Sequence, residues 1–430
     1  MKNYYHSSLA LLLLSALILG SCTDTCETIS SYTYYEPVFM NRTELRDAVE
    51  LQAPREINQS GKIYFISDHL FINEPGKGIH IINNSNPESP KNIGFINIPG
   101  NFDLAAVDGY LYADSYIDLV VLDISDLSNP HEVHRVKDLF PNYNSWGYYA
   151  AEDGIVTDWV ETKASERIST ECDGSDLYYY DWGYRYAGGI AINTAFAESS
   201  NSGGSASPGI GGSMARFTVN NNHLFMIDES EMKVANIDNP ANPMLGARTD
   251  IGWGIETIFP YEDMIFIGAN DGMYIYDVST PFSPNLLSNY SHVRSCDPVV
   301  TDGKYAYVTL RSGTQCQGFT NQLEIIDIEN PSNPQLLETY PMYNPHGLSI
   351  SDNRLFICDG EAGLKIYDGT NIHTIDQNLI KHYGNIHAYD VIVNDCLVML
   401  VGEDGLNQYH CNDFEGDITY LSTIEFSGKL

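Results

Sequence analysis

The feature of this sequence that most restricts its fold is a phrase that recurs along the chain. A run of alternating apolar residues ends in Asp or Asn and is followed by a turn bracketed by proline. The phrases end at Pro90, Pro130, Pro243, Pro284 and Pro334, so adjacent copies lie 40, 41 and 50 residues apart. This spacing predicts one supersecondary unit per repeat. The copies are IHIINNSNPESP from Ile79, VVLDISDLSNP from Val120, VANIDNPANP from Val234, YIYDVSTPFSP from Tyr274 and EIIDIENPSNP from Glu324.

Each unit also carries a tight polar turn between two apolar runs, which is typical of a β-hairpin. Eight such turns predict eight units. The last two units, with IYDGTNIHTIDQ and QYHCNDFEGD, lack the paired prolines and leave seven as the alternative. The turns are Ser60-Gly61, Asp108-Gly109, Asp153-Gly154, Asn221-Asn222, Glu262-Asp263, Asp302-Gly303, Asp352-Asn353 and Asn394-Asp395.

The strand pattern within a unit predicts an all-β fold. In the fifth unit, ETIFPY, MIFIGA, MYIYDVS and NLLSNYS are four short β-rich runs separated by turns. Proline in the turns stops a strand because it has no N–H to donate and restricts the preceding residue. Four strands per unit without helical periodicity are typical of a propeller blade. We therefore expect a β-propeller of about eight, alternatively seven, four-stranded blades.

The repeated phrase, hydrophobic-Asp-Ile-Ser-Asp-x-Ser-Asn-Pro, resembles the LVIVD repeat of bacterial surface propeller proteins. The resemblance covers roughly residues 54–430, and NEPGKGIHIINNSNPESPKNIGFINIPGN from Asn73 is similar to LVIVD lipoproteins of Bacteroidota. It implies a propeller at the cell surface and supplies no established activity.

The N-terminus predicts export and a lipid anchor. One basic residue, Lys2, precedes an apolar run over residues 9–19 that is too short to span a membrane and has signal-peptide proportions. The run ends in LGSC, which resembles a bacterial lipobox with Cys22 as the lipidated first mature residue. An ordinary cysteine after a cleavable signal is the alternative. We expect a signal peptide over residues 1–21 and stable membrane anchoring by two or three acyl chains.

Residues 22–53 are expected to form a tether that ends in a short helix. Residues 23–40 are polar and lack apolar periodicity, whereas NRTELRDAVELQ from Asn41 is a short helical pattern with Asn41 as N-cap. Acidic residues just after Cys22 resemble the surface-export signal of Bacteroidota lipoproteins. We therefore expect a protein of the cell envelope, in the outer membrane and exposed at the cell surface.

Charge and cysteine count restrict the partners. With 57 acidic and 22 basic side chains, the formal net charge is −35, which disfavours nucleic acid. Such acidity is compatible with a divalent cation such as calcium, and no other cofactor is predicted. Seven of the eight cysteines follow Cys22 and show no CxxC pair or zinc-type spacing. Export permits disulfides, and the odd number leaves at least one thiol unpaired if all bridges are intramolecular.

When the units are aligned on their turns, one residue of each unit stands at an equivalent position, five residues before the turn. If this is the start of the innermost strand, these side chains rim the central channel and mix cations, carboxylates and aromatics, as a polar ligand site requires. Polar residues around a water-filled channel are the alternative. The eight residues are Arg55, Asp103, Tyr148, Arg216, Thr257, Asp297, Gly347 and Tyr389.

The third unit contains an insertion at about residues 160–213. In it, LYYYDWGYRY from Leu177 precedes the linker-like SSNSGGSASPGIGG from Ser199. Alternate side chains of an extended strand share a face, which makes this segment a candidate recognition surface. Packing on a neighbouring blade is the alternative. The aromatic residues of that face are Tyr178, Tyr180, Trp182, Tyr184 and Tyr186.

No catalytic motif stands out. His346, in NPHG, is a candidate base or ligand, but no second His or carboxylate stands nearby at a diagnostic spacing, which favours a structural or pocket-lining role. The sequence lacks GxSxG, HExxH, a phosphate loop and an EF-hand. We therefore predict a non-catalytic binding or scaffolding module for a glycan, peptide or envelope protein. An extracellular hydrolase or lyase with its site in the channel, and a purely structural subunit of an envelope complex, are the alternatives.

Overall fold

The chain divides into two units in the computed structural model. The first contains Met1–Phe39 and Val156–Ile192, and the second contains Met40–Ile155 and Asn193–Leu430. In the first unit, strand β1 (Thr25–Met40) pairs with strand β11 (Ile155–Glu171); strands are numbered along the chain. The structure describes residues 25–140, 154–171, 197–198, 210–213, 215–228, 230–252, 254–291, 298–312, 320–411 and 418–428.

The second unit is a β-propeller of seven four-stranded blades. The prediction of eight blades is therefore wrong, and the alternative of seven is confirmed. The surplus turn is the one at Asp153-Gly154. Gly154 leads into β11, which pairs with β1 and forms no blade.

Every blade is built from four consecutive antiparallel strands. The first strands of successive blades contact one another around the ring, so they are the inner strands that line the channel. Blade 1 contains β3 (Ile63–Ile66), β4 (His69–Glu74), β5 (Gly78–Asn83) and β6 (Lys91–Asn97), and blade 2 contains β7 (Leu104–Val107), β8 (Tyr110–Ser115), β9 (Asp118–Asp123) and β10 (His131–Val136). Blade 3 contains β14 (Phe217–Asn220), β15 (His223–Ile227), β16 (Glu231–Asn236) and β17 (Met244–Asp250). Blade 4 contains β18 (Ile255–Tyr261), β19 (Met264–Ala269), β20 (Gly272–Asp277) and β21 (Asn285–Ser291). Blade 5 contains β22 (Val299–Thr301), β23 (Tyr305–Leu310), β24 (Gln322–Asp327) and β25 (Gln335–Pro341). Blade 6 contains β26 (Leu348–Ser351), β27 (Arg354–Cys358), β28 (Leu364–Asp368) and β29 (Leu379–Tyr383). Blade 7 contains β30 (Ala388–Asn394), β31 (Leu397–Gly402), β32 (Gly405–Cys411) and β33 (Ile418–Glu425).

The core lies between the blades. Ile81 of blade 1, Leu122 of blade 2 and Leu224 of blade 3 belong to one cluster of buried apolar side chains. Because neighbouring blades cover both faces of each sheet, the middle strands are apolar at nearly every position instead of alternating.

The repeated phrase forms the third strand of a blade and the turn after it. The carboxylate at the end of the strand accepts a hydrogen bond from the backbone N–H two residues later, as Asp123 does from Ser125 (2.9 Å) and Asp277 from Ser279 (2.8 Å). A β-turn follows, in which the N–H of Asn129 donates to the carbonyl of Asp126 over 3.0 Å. The next proline then leads into the outer strand.

These turns also join neighbouring blades. The hydroxyl of Ser288 in blade 4 donates to the carbonyl of Pro331 in blade 5 over 2.6 Å. The hydroxyl of Ser422 in blade 7 makes the same 2.6 Å contact with the carbonyl of Pro87 in blade 1. The first and last blades are therefore joined in the same way as an internal pair of blades.

A short helix, α1 (Arg42–Asp47), precedes the first blade. Asn41 caps it as expected, because the Asn41 side chain accepts the Glu44 N–H and the Glu44 carboxylate accepts the Asn41 N–H. Arg46 then pairs with the fully buried carboxylate of Asp118 in blade 2 over 2.8 Å. The helix is thereby fastened to the propeller.

Three further strands extend blade 1. Strand β2 (Glu50–Gln52) pairs with the outer strand β6. Strand β13 (Ile210–Ser213) pairs with the inner strand β3, and β12 (Ala197–Glu198) pairs with β13. Because β3 lines the channel, β12 and β13 lie inside it, next to β18, β26 and β30 of other blades. The end of the insertion therefore fills part of the channel.

Blade 7 carries a disulfide between Cys396 and Cys411, 15 residues apart in sequence. Cys358 of blade 6 is a buried thiol. The other cysteine side chains lie outside the part of the chain whose side chains are described.

Candidate binding site at the channel mouth

The end of the channel at which the inner strands begin is called the mouth. In blade 1 the hairpin turn is Ser67-Asp68, where both residues have positive φ, of 46° and 64°. The expected turn at Ser60-Gly61 is therefore wrong, because those residues precede β3. Five residues before the observed turn stands Lys62, which takes the place that the sequence alignment assigned to Arg55.

Arg55 belongs to a buried charge cluster beside the mouth. Its guanidinium lies 3.5 Å from the centre of the Phe95 ring and donates to Glu74 over 3.0 Å. Glu74, which is 1% exposed, also accepts from Lys77 at 2.7 Å and lies 3.0 Å from the His80 Nε2. Burial by itself would raise the pKa of Glu74, but its bonds to His80 and Lys77 and the charge of Arg55 lower it to about 2.

The other predicted ring positions that the structure describes lie at or beside the starts of inner strands, and several are closed to solvent. Asp103 is 2% exposed and Thr257 is 1% exposed, while Gly347 is buried. Arg216 is exposed and Tyr389 is half-buried. Among the described ring positions, Asp103, Thr257 and Gly347 are therefore closed to solvent, and β12 and β13 occupy the channel.

The ring is an ionic network around Lys62. Desolvation lowers the pKa of Lys62 to about 8, against the opposing effects of Asp103, Asp390 and Glu256. Burial raises the pKa of Asp103, although the backbone N–H of Arg216 donates to this carboxylate. These opposite charges thus act on one another at the starts of the inner strands.

A more accessible row of side chains lies at the mouth on blades 5 to 7. Arg311 donates to the His346 imidazole, over 3.1 Å to Nε2, and the His346 and Tyr389 rings meet edge-on at 5.3 Å between centroids. The Tyr389 ring lies beside the His387 ring at 4.6 Å, and the His387 Nδ1 is 3.6 Å from a Glu403 oxygen. All five side chains are partly exposed. We call these five residues the mouth row.

The loop between β25 and β26 borders the mouth row and is held in place by a buried carboxylate. Asp359, which is 0% exposed, accepts the backbone N–H groups of Tyr343 and Asn344. The Asn344 amide nitrogen lies 3.3 Å from the His346 Nε2. Tyr343 is 59% exposed, and its hydroxyl donates to Glu361 over 3.4 Å. The exposed Tyr343 ring with its hydroxyl group, and the Asn344 side-chain amide, thus lie next to the mouth row.

The electrostatics of the mouth row favour binding over proton transfer. Burial, together with the nearby Arg311 and His387, lowers the pKa of His346 to about 2. The imidazole is therefore neutral at physiological pH, and a general base works best when its pKa lies near the working pH. Burial also raises the pKa of Tyr389, which keeps its hydroxyl protonated. The row offers ring faces, hydrogen-bond donors and acceptors.

Sequence reasoning found His346 and Tyr389 but missed their partners. Lys62 could have been identified from the sequence, because Ser67-Asp68 is itself a polar pair between two apolar runs and Lys62 stands five residues before it. Arg311, His387 and Glu403 stand in no recognisable motif. Arg311 comes from blade 5 and meets His346 only through the packing of neighbouring blades, whereas His387 and Glu403 flank one hairpin of blade 7.

Some predicted site residues lie outside the described part of the chain, and their proposed role stays a prediction. They are Tyr148, Asp297, Tyr178, Tyr180, Trp182, Tyr184 and Tyr186.

The described ranges contain neither a metal-ligand cluster nor a membrane-spanning helix. No three His, Cys, Asp or Glu side chains among these residues are grouped so as to hold a metal ion. None of the helices within the same ranges is long and apolar enough to cross a bilayer.

The LVIVD repeat family matches residues 102–138, 258–292 and 294–341. The chain carries LVIVD repeats. The first match spans blade 2, the second falls in blade 4, and the third spans blade 5, so one LVIVD unit corresponds to one blade. Comparison with curated proteins finds no match to the sequence.

Two solved structures share the propeller architecture. The periplasmic gluconolactonase PpgL of Pseudomonas aeruginosa is 10% identical, with a TM-score of 0.52 over 89% of this chain and 97% of that one. A protein from Lactobacillus plantarum is 11% identical, with a TM-score of 0.51 over 86% of this chain and 98% of that one. At this identity, the likeness shows the fold alone.

Proposed function

We propose that this LVIVD propeller is a lipid-anchored protein of the cell envelope that binds a glycan at the mouth row without catalysing a reaction. The observation that carries the proposal is the row itself. The Tyr389 and Tyr343 rings are accessible beside Arg311, Glu361 and Glu403. Sugars present C–H faces that pack on aromatic rings and hydroxyl groups that both donate and accept hydrogen bonds.

Charge favours a neutral glycan over an anionic ligand. The formal net charge of −35 repels polyanions, and the mouth row contains an acid at one end and a guanidinium at the other. A ligand that is itself uncharged but rich in hydroxyl groups satisfies both ends of the row. A hydrolase or lyase that used His346 as its general base is disfavoured, because the pKa of this imidazole is lowered to about 2.

The binding proposal is tested with the purified protein on an array of neutral and acidic oligosaccharides. We expect Tyr389→Ala and Tyr343→Ala each to weaken binding of a captured neutral glycan by about fivefold, since a stacked aromatic contact contributes on the order of 1 kcal/mol. Tyr420→Ala, at a 56% exposed tyrosine on an outer strand, is the matched control and should bind normally.

Two results would contradict this proposal. Full glycan affinity in both mouth variants, with unfolding temperatures like that of the wild type, would place the site elsewhere. Shortened glycans detected by mass spectrometry after incubation with the wild type would favour the hydrolase or lyase alternative.

Anchoring and export are supported by the lipobox-like LGSC and by the disulfide in blade 7, since structural disulfides persist in oxidising compartments. Cys22→Ser should move the protein from the membrane fraction to the soluble fraction in a detergent-partition assay. An unchanged membrane fraction would refute lipid attachment at Cys22.

A further inference from the structure

A second candidate site lies at the opposite end of the propeller, where the first two strands of each blade join. A cavity of about 120 Å³ opens there between the hairpins of blades 6 and 7. We call it the hairpin-face cavity. Its walls include Arg354 and Asp352 of blade 6, Asp395 of blade 7, and the disulfide between Cys396 and Cys411.

The charges of this cavity come in both signs. Arg354 is partly exposed, and its guanidinium makes no hydrogen bond or ion pair with the other residues that the structure describes. A guanidinium binds a carboxylate through two parallel hydrogen bonds. Asp352 and Asp395 line the same cavity and are suited to an ammonium group. A cavity lined by one cation and two carboxylates suits a ligand that carries both charges.

The remaining walls set the size and polarity of the ligand. Phe356, which is 3% exposed, and Val393 form an apolar part of the lining. Pockets for drug-sized ligands begin at about 300 Å³, so a cavity of this volume excludes an oligosaccharide. We propose that the hairpin-face cavity binds a free α-amino acid with a small apolar side chain, such as valine. Arg354 holds the carboxylate, the two aspartates hold the ammonium group, and the side chain packs on Phe356 and Val393.

Isothermal titration calorimetry of the purified protein with L-valine tests this assignment. Isobutylamine lacks the carboxylate and 3-methylbutanoate lacks the amine, so each leaves one charge of the cavity without a partner. We expect each analogue to bind at least about tenfold more weakly than valine. Arg354→Gln and Asp395→Asn should weaken valine binding by a similar factor.

The matched control is Arg248→Gln, at an exposed arginine on the outer strand of blade 3, which should bind valine as the wild type does. Circular dichroism melting distinguishes a lost site from a misfolded variant. The assignment is overturned if valine gives no binding heat at millimolar concentration, or if a folded Arg354→Gln variant keeps full affinity. Equal affinity for 3-methylbutanoate and valine would also overturn it, because the cavity would then recognise a carboxylate alone.

Discussion

At the scale of single residues, burial and partners decide what each charged group does. Arg55 was expected to face a ligand, yet it packs on Phe95 and pairs with Glu74, a carboxylate that is 1% exposed. His346 was a candidate base, yet burial, together with the nearby Arg311 and His387, lowers its pKa and keeps it neutral. The surroundings of each side chain, rather than its residue type alone, therefore set its role.

Glu74→Gln tests the structural reading of the Arg55 cluster. The substitution leaves the cations around a buried position without their counter-charge, so we expect a loss of about 3 kcal/mol in the free energy of unfolding at pH 7. Lys77→Ala is the control, because Lys77 is 56% exposed and an exposed ion pair contributes at most about 1 kcal/mol. Denaturant titration measures both, and equal losses in the two variants would contradict the burial argument.

The pH dependence of the same cluster has a definite sign. The pKa of Glu74 is lowered in the folded protein to about 2. The ionised Glu74 carboxylate therefore contributes its full share to the free energy of unfolding above the unfolded pKa of about 4.3. This contribution is lost as the pH falls from there towards 2. The stability difference between the wild type and Glu74→Gln should shrink over this interval.

At the scale of elements, the repeated phrase has a local and a long-range part. Within a blade, the residue after the third strand donates to the carbonyl of the hairpin turn, as Ile124 does to Gly109 over 2.8 Å. Blade 7 lacks the paired prolines but keeps this bond, from Cys411 to Cys396 over 2.9 Å, and adds the disulfide between the same two residues. The covalent bridge thus reinforces a blade that departs from the repeat.

Loss of that disulfide should destabilise the protein. A closed loop of 15 residues corresponds to about 3 kcal/mol in the chain-entropy account, so we expect this loss of unfolding free energy in the double variant Cys396→Ala, Cys411→Ala. Cys358→Ala, at the buried thiol, is the control and should cost about 1 kcal/mol. Equal stability of the wild type and the double variant under oxidising conditions would show that the bridge does not stabilise blade 7.

At the scale of the whole molecule, the ring closes without exchanging a strand between its first and last blades. The closure rests on side chains between blades 7 and 1 and on a short parallel bridge between Ile57 and Phe426. Phe426 is 8% exposed and packs in the cluster that joins the two blades, and the Ser427 N–H donates to Ile57 over 2.8 Å. Phe426 and Ser427 therefore help to hold blades 7 and 1 together.

Removal of residues 426–430 should weaken the contact between blades 7 and 1. Loss of a buried phenylalanine with its neighbouring hydrogen bonds should cost about 3 kcal/mol of unfolding free energy. The control is removal of residues 429 and 430 alone, which should change the stability by less than about 0.5 kcal/mol. Denaturant unfolding of the two truncated proteins measures the difference, and equal effects would show that Phe426 does not hold the ring closed.

The sequence by itself determined the local structure of a blade, namely its short strands and the turns between them. Turn pairs such as Asp352-Asn353 and the prolines after each third strand act on their own backbone, so they can be recognised without knowing the rest of the fold. The same holds for the α1 cap, in which Asn41 and Glu44 bond to each other's backbone. These features are local, and each was readable from a few adjacent residues.

Only the tertiary structure decided the number of blades and the content of the site. The residues after Gly154 look like a blade strand, but β11 pairs with β1, more than a hundred residues earlier in the chain. The mouth row joins Arg311, His346 and Tyr389 from three blades, and β12 and β13 enter the channel by pairing with β3. Such contacts depend on which distant segments meet when the ring closes, and the spacing of residues along the chain carries no record of that.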